Sequence, residues 1–346
     1  MSDAAIQIKK VVATLLSPLS TRNREIIARR FGLQTGNKET LESIGQSYSI
    51  TRERVRQIEE ASLAQIRETL DRNPIKPFVD LAHSIMEERG GVIQEDELFK
   101  QFSGSEKETS VNAALVFILT LTGTFVRIMD DDEVLTFWAL SQAHADSFRR
   151  SADSFISALQ KKGSVIPHAQ LTSFINSDPM LGAVSSDTLA SLLSISKNIG
   201  CNVFDEVGLT SSAEIKPRGV RDKAYLVLKK NTKPQHFRAI TAMINESDFG
   251  GRNAHVQTVH NELIKDKRFV LVGRGIYGLS EWGFEPGTVK EVIASYIRQN
   301  GPSPKNHIVA HVMKTRLVKP NTVVLGMQDK KLFVENDEGH ISLREA

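Results

Sequence analysis

One cysteine, Cys201, is present among 346 residues. Disulfide frameworks and cysteine-rich zinc sites are therefore excluded, and such usage suits a reducing compartment. Long apolar runs are missing too. None approaches the roughly 20 residues that span a bilayer, so no membrane partner is expected. The opening MSDAAIQIKKVVATLLSPLS is apolar only in patches, carries Asp3 and lacks a cleavage site, so it reads as part of the fold. Aromatic residues make up 6% of the chain, and the net charge of +3 is too small to point to a partner. Organised catalytic sets are lacking as well: no Ser/His/Asp or Cys/His arrangement comes with its motif, and carboxylate pairs cannot be read from scattered residues. The expectation is a protein that is not an enzyme, with no cofactor, metal or small-molecule substrate evident.

Four near-motifs lose to simpler readings. Gly273, Gly275 and Gly278 satisfy G-x-G-x-x-G, but LSEWGFEPG follows in place of a helix start, so a hairpin wing is expected there. His307 and His311 stand four apart on an expected helix, with no adjoining glutamate base and no third ligand, which makes an ordinary helix face the better reading. The run Asp130, Asp131, Asp132, Glu133 reads as a solvated turn, not a cation site. Cys201, in GCNVF, reads as a small buried residue at the start of a strand.

What is present is an ordinary globular balance, 40% apolar and 25% charged, in a chain long enough for several compact units. Charge is unevenly spread. Segment 87–133 is acidic, whereas 216–274 is basic, with Arg221, Lys223, Lys229, Lys230, Arg238 and Arg274 among its cations, as suits phosphate contacts or a solvated surface. Behind residue 73 a rhythm repeats four times: an amphipathic helix, a Gly or Pro break, two further helices and a β-rich end. GGVIQEDELFKQF and GSVIPHAQLTSFI correspond closely, and FVLVGRGIYGL and LFVENDEGHISL read as hairpins around glycine-containing turns.

The expected fold is mainly α with small β-hairpins: an N-terminal helix-turn-helix over 8–72, then tandem winged-helix-like modules over 74–141, 146–214, 217–283 and 286–346. Each module is expected to bury its own core. The third helix of the first module, SVNAALVFILTLTG, has no Lys or Arg, which suits protein contact or spacing more than a charged groove.

In the N-terminal unit, LSPLSTRNREIIARRFGL predicts a helix from Ser20 or Thr21 to Phe31, stopped by Gly32. Thr40 caps a second helix with Leu41, Ile44 and Tyr48 as its apolar stripe, Ser49-Ile50 make a turn, and Thr51 caps the long last helix. At about 100° per residue, Arg52, Glu53, Arg56, Gln57 and Glu60 share a sector about 140° wide, opposite Val55, Ile58 and Ser62. Arg and Gln in the first turns of such a helix suit guanine and adenine edges in a major groove, Glu53 suits a cytosine amine, and Arg54, turned sideways, suits a phosphate. The start of the Thr40 helix offers amides to a backbone phosphate.

TLESIGQSYSITRERVRQIEEASLAQIRE, with LSTRNREIIARRFGL before it, resembles the C-terminal DNA-binding region, region four, of primary bacterial sigma factors. In that family the region reads the −35 promoter element and docks on the flap of RNA polymerase. The resemblance implies base contacts for Arg52, Glu53, Arg56 and Gln57, phosphate contacts for Arg54 and Thr40, a place for Thr51 in the same DNA-binding set, and promoter duplex DNA and core RNA polymerase as partners. Only a few residues precede it, and no aromatic-rich melting segment follows, so autonomous promoter opening is not expected.

FRAITAMINESDFGGRNAHVQTVHNELIKDKRFVLVGRGIYGLSEW is similar to the HARE-HTH winged-helix family, which includes the N-terminal domain of the polymerase delta subunit. The acidic tail of delta is absent, so displacement of nucleic acid by charge does not carry over. Together the two resemblances imply a cytoplasmic, polymerase-associated transcription factor that recognises a −35-type element in initiation. The alternatives are a polymerase-independent DNA-binding regulator and an adaptor that docks on polymerase or sigma without reading bases.

Overall fold

The computed structural model describes residues 3–344 apart from Glu108, Ala183, Ser185 and Glu338, so Ala346, the end of the fourth expected module, lies outside the described residues. Four helices come first: α1 (Asp3–Leu16), α2 (Thr21–Phe31), α3 (Leu41–Tyr48) and α4 (Arg52–Glu68). Each boundary from α2 on has a local cause. Ser20, Thr40 and Thr51 accept the amides of Asn23, Ser43 and Arg54, while Gly32 and Ser49 take left-handed backbone that closes α2 and α3.

The order helix–strand–helix–helix–strand–strand then recurs four times. The first pass is α5 (Lys76–Glu87), β1 (Val92–Gln94), α6 (Glu95–Ser103), α7 (Ser110–Thr122), β2 (Val126–Ile128) and β3 (Phe137–Ala139). The second is α8 (Gln142–Lys162), β4 (Ile166–Pro167), α9 (Leu171–Ser177), α10 (Ser186–Ile195), β5 (Ile199–Cys201) and β6 (Glu206–Leu209). The third is α11 (Val220–Asn231), β7 (Gln235–His236), α12 (Phe237–Glu246), α13 (Val256–Lys265), β8 (Phe269–Gly273) and β9 (Ile276–Leu279). The fourth is α14 (Val289–Asn300), β10 (Ser303–Pro304), α15 (Lys305–Thr315), α16 (Pro320–Met327), β11 (Phe333–Glu335) and β12 (His340–Leu343). In every repeat the last strand lies in the middle of a three-stranded sheet: β1-β3-β2, β4-β6-β5, β7-β9-β8 and β10-β12-β11. The chain is thus mainly helical with small antiparallel sheets and an N-terminal helix-turn-helix.

The chain divides into two compact units, one running to Cys201 with Val207–Thr210 added, the other holding Asn202–Glu206 and the residues from Ser211 on. In the first, the expectation of one core per module fails. A single apolar cluster runs from Ile8 and Val12 of α1 through Ile27 and Phe31 of α2 and Leu63 and Ile66 of α4 to Leu115, Phe117, Ile118 and Leu119 of α7. The reason is α7 itself. Residues Ala113–Leu119 are all buried, and a helix apolar on every side must be covered on every side. The Phe31 and Phe117 rings meet edge-on with centroids 5.1 Å apart. Arg67, in the last turn of α4, donates to the Thr120 and Leu121 carbonyls at 3.1 and 3.2 Å, satisfying the end of α7. A second shared cluster joins Val92, Phe137 and Ala139 to Phe148, Ala152 and Phe155 of α8. The other unit behaves as expected, with separate cores for α11–α13 and α14–α16.

One local reading is corrected and another is extended. Cys201 is exposed, and it ends β5 instead of starting a strand; β5 is the edge of its sheet, so its last residue lies at the rim. The turn at Asp130–Glu133 is tied down, not merely solvated. Asp131 accepts the amides of Glu133 and Val134 at 2.9 Å each and pairs with Arg149 of α8 at 3.0 Å, and Asp130 pairs with Lys197 at 2.8 Å. The two amides, with Arg149, hold the Asp131 carboxyl down to about 2.

Candidate nucleic-acid interface

The corner between α3 and α4 is built for close approach. A Cβ on Gly45 would stand 2.8 Å from the Ile50 carbonyl oxygen, which accepts no such contact, so only glycine lets the turn close over α3. Ser49 supplies the left-handed residue, and the Ile50 amide donates back to the Gly45 carbonyl at 3.0 Å. Below the corner, Ile26, Ile44 and Val55 are fully buried among Leu41, Tyr48, Ile50 and Ile58, which leaves the opposite side of α4 to solvent.

That outer side carries every base-contact residue the sequence suggested. Arg52, Glu53, Arg54, Arg56 and Gln57 are all exposed, as is Thr51, whose hydroxyl oxygen caps the helix by accepting the Arg54 amide at 3.1 Å. The side chains are not independent. Arg56 Nε and Nη2 donate to the two oxygens of Glu53 at 3.0 and 2.7 Å, and its Nη1 donates to Glu60. Arg54 Nη1 donates to Gln57 Oε1 at 3.1 Å, engaging the atom that an adenine amine would need. Hydrogen bonding to Arg56 lowers the Glu53 carboxyl below its usual range, and Glu53 in turn raises Arg56, so both stay charged at neutral pH. Exposed pairs of this kind open readily for a stronger counter-charge.

Thr40 lies beside Arg52 in a way that spacing alone does not show. Arg30, Thr40, Leu41, Glu42 and Arg52 line one hollow of about 330 Å³ at the starts of α3 and α4. Thr40 accepts the Ser43 amide at 3.1 Å, and its hydroxyl proton remains a donor for a phosphate oxygen. Two arginines of α2 fix this geometry. Arg29 makes a bidentate pair with Glu39 at 2.8 and 2.7 Å, and Arg30 reaches the Glu39 carbonyl and Glu59 of α4, each at 3.1 Å. Sequence reasoning missed Arg30, because no helical spacing links it to Thr40 or Arg52.

The hydrogen-bonded corner, the outward arginines and the hollow at the helix starts lie within one stretch of the chain that has known relatives. Residues 15–68 match Sigma-70, region 4. The region-4 unit also has relatives by sequence. RNA polymerase sigma factor SigA1 of Synechococcus elongatus is 42% identical over 65 residues, which is 19% of this chain and 16% of that protein. RNA polymerase sigma factor SigA of Clostridium acetobutylicum is 35% identical over 81 residues, 23% of this chain and 21% of that protein. SigA of Nostoc sp. is 36% identical over 72 residues, 21% of this chain and 18% of that protein. The chain thus spans about a fifth or less of these curated relatives.

Outside the region-4 unit, Gly273, Gly275 and Gly278 lie in the β8–β9 hairpin, not before a helix of the dinucleotide-binding kind. His307 and His311 both lie on α15; His311 Nε2 is 2.9 Å from a Glu285 oxygen, and no cluster of three metal-ligating groups occurs among the described residues. Among the described residues, no helix is long and apolar enough to cross a membrane. Part of the basic segment is internally paired: Lys229 with Glu214 at 2.8 Å, and Arg268 with Asp222 and Asp266 at 2.8 and 2.6 Å.

Proposed function

We propose that this protein is a transcription factor that binds a −35-type promoter element through α4 and works with core RNA polymerase in initiation, in the cytoplasm, by binding and not by catalysis. The observation that carries this reading is the exposed row Arg52, Glu53, Arg56 and Gln57 on a helix whose sequence matches region 4. In this reading those four residues meet base edges, and Arg54 and Thr40 meet phosphates. DNA would exchange the Glu53 and Glu60 carboxylates for guanine or phosphate around Arg56, and free Gln57 from Arg54. The boundaries 8–72, 74–141, 146–214, 217–283 and 286–346 are the proposed modules, the last four winged helices, with 217–283 of HARE-HTH type.

A polymerase-independent DNA-binding regulator is the second reading, and one observation favours it. Ile27 and Phe31 of α2 and Leu63 and Ile66 of α4 are already packed in one core with α7, so they are not offered to a partner. One experiment separates the two. The tagged protein is incubated with core polymerase, washed at moderate salt, and then footprinted on promoter DNA. Stoichiometric retention with protection near −35 supports the polymerase-associated reading. Protection without retention supports the free-standing regulator, and protection unchanged by Arg52→Ala/Arg56→Ala overturns base reading by α4 altogether.

A further inference from the structure

Two of the four third helices, α7 and α16, hold no ionisable residue, whereas the sequences of α10 and α13 include Asp187 and Glu262. A helix so apolar calls for cover. The chain itself covers α7, which packs against α1, α2 and α4. Helix α16 is left half bare. It buries Val323, Gly326 and Met327 within its own module and exposes Asn321, Thr322, Val324 and Leu325. Six of the fourteen exposed large apolar side chains among the described residues fall between Met313 and Val334, so the exposure is concentrated here and not scattered.

A hollow of about 340 Å³ opens beside α16. Its apolar lining is Val324 and Met327 of the helix, Phe333 and Val334 of β11 and Ile341 of β12. Strand β11 is the outer strand of its sheet, which leaves one edge of its backbone open to an added segment. The charge around the hollow is one-sided. Lys330 and Arg344 line it, are exposed, and make no ion pair among the described residues. The neighbouring acids are engaged, Glu335 with Lys305 at 2.6 Å and Asp329 with Lys290 at 2.5 Å. Asp337, in the β11–β12 turn, does not line the hollow. Lys319 before α16 and Lys331 after it add two further exposed cations.

We infer that the hollow between α16 and β11 docks an acidic segment of a partner protein, which seats an apolar side chain against Val324, Met327 and Val334 and brings carboxylates to Lys330 and Arg344. An apolar floor with a charged rim is the anatomy of a protein-binding patch: a few anchoring side chains carry most of the affinity, and the rim charge selects the partner. Base edges would call for polar groups along the helix, where α16 exposes Val324 and Leu325. A lipid surface would call for an outward apolar face that sinks among the headgroups, whereas Val324, Met327 and Val334 line a concavity. This docking uses no residue of α4 and goes beyond promoter reading by the region-4 unit.

The test selects a display library of random peptides on the full chain and measures the enriched peptides by anisotropy. Enriched peptides should be rich in Asp and Glu around a large apolar residue. Val324→Ser and Val334→Thr, with unaltered circular dichroism, should each weaken them by about ten-fold or more. Lys330→Gln/Arg344→Gln, which leaves the apolar floor intact, should weaken them by about three- to ten-fold and flatten their salt dependence. No enrichment, enrichment of basic or neutral peptides, or equal affinity for parent and variants overturns the inference. So does a dimer in sedimentation that Val324→Ser dissolves, because a second copy then covers the hollow. Binding to phosphatidylglycerol vesicles that Val324→Ser and Lys330→Gln/Arg344→Gln both abolish overturns it in favour of a lipid surface. Peptide binding should persist in an Arg52→Ala/Arg56→Ala chain that no longer reads promoter DNA. Its loss there would place the peptide on α4 and overturn the inference, whereas failure of promoter reading alone leaves it standing.

Discussion

Arg56 sits between Glu53 and Glu60, and these carboxylates occupy the hydrogen-bond donors that DNA would use. Arg56→Ala should therefore weaken binding to the preferred duplex by about ten- to a hundred-fold and flatten the preference at one base position, as competition titrations would show. Glu60→Gln should act oppositely, raising affinity for every duplex, because it removes a competing charge without removing a reading group. If Glu60→Gln weakens binding, the carboxylate orients Arg56 instead of restraining it. Asp131 gives a pH-dependent case. Its folded value of about 2 lies below the ordinary 3.8, so its stabilising effect is complete above about pH 4 and is lost as the pH falls toward 2. Denaturant titrations should show Asp131→Ala less stable than the parent at pH 7, with the gap narrowing steadily between pH 4 and pH 2. A gap that stays constant would mean the Asp131 side chain acts by packing.

At the scale of elements, the α3–α4 corner and α7 make opposite demands on side-chain size. Gly45→Ala forces a Cβ against the Ile50 carbonyl and should cost about 1–3 kcal/mol in denaturant unfolding, with loss of DNA binding in parallel. Phe117→Ala opens a hole against Phe31 and should cost about 3–5 kcal/mol. Its effect should reach α1–α4, seen as faster amide exchange across those helices, although Phe117 lies beyond them, in the first repeat. The difference between these elements explains what the sequence could reveal. The corner was legible because caps, left-handed residues and the 3.6-residue period are local: Thr40, Ser49 and Thr51 each act within three or four positions. The shared outward face of Arg52, Glu53, Arg56 and Gln57 was legible for the same reason. The destination of α7 was not. Its all-apolar run announces burial on every side without saying against what, and the Arg67 bonds to its end span more than fifty positions. Arg30 was hidden likewise, joining the hollow of Thr40 and Arg52 only through the tertiary fold. Cys201 misled because its neighbours suggest a strand but not that the strand lies at an edge.

For the whole molecule, the shared core redraws where the chain can be cut. A fragment ending near residue 72 would leave Phe31, Leu63 and Ile66 uncovered and should be poorly folded or self-associating by sedimentation and circular dichroism. A fragment carried through Thr210 retains α7 and α8 and should melt cooperatively. A well-folded 8–72 fragment would contradict the role given to α7. The same arrangement bears on the order of synthesis. Helix α4 leaves the ribosome before α7, which follows only after α5, β1 and α6 have been made. At about 5–20 residues per second, the head waits for seconds with its apolar underside in water. It acquires its lasting shape only when a helix encoded well downstream arrives to close it.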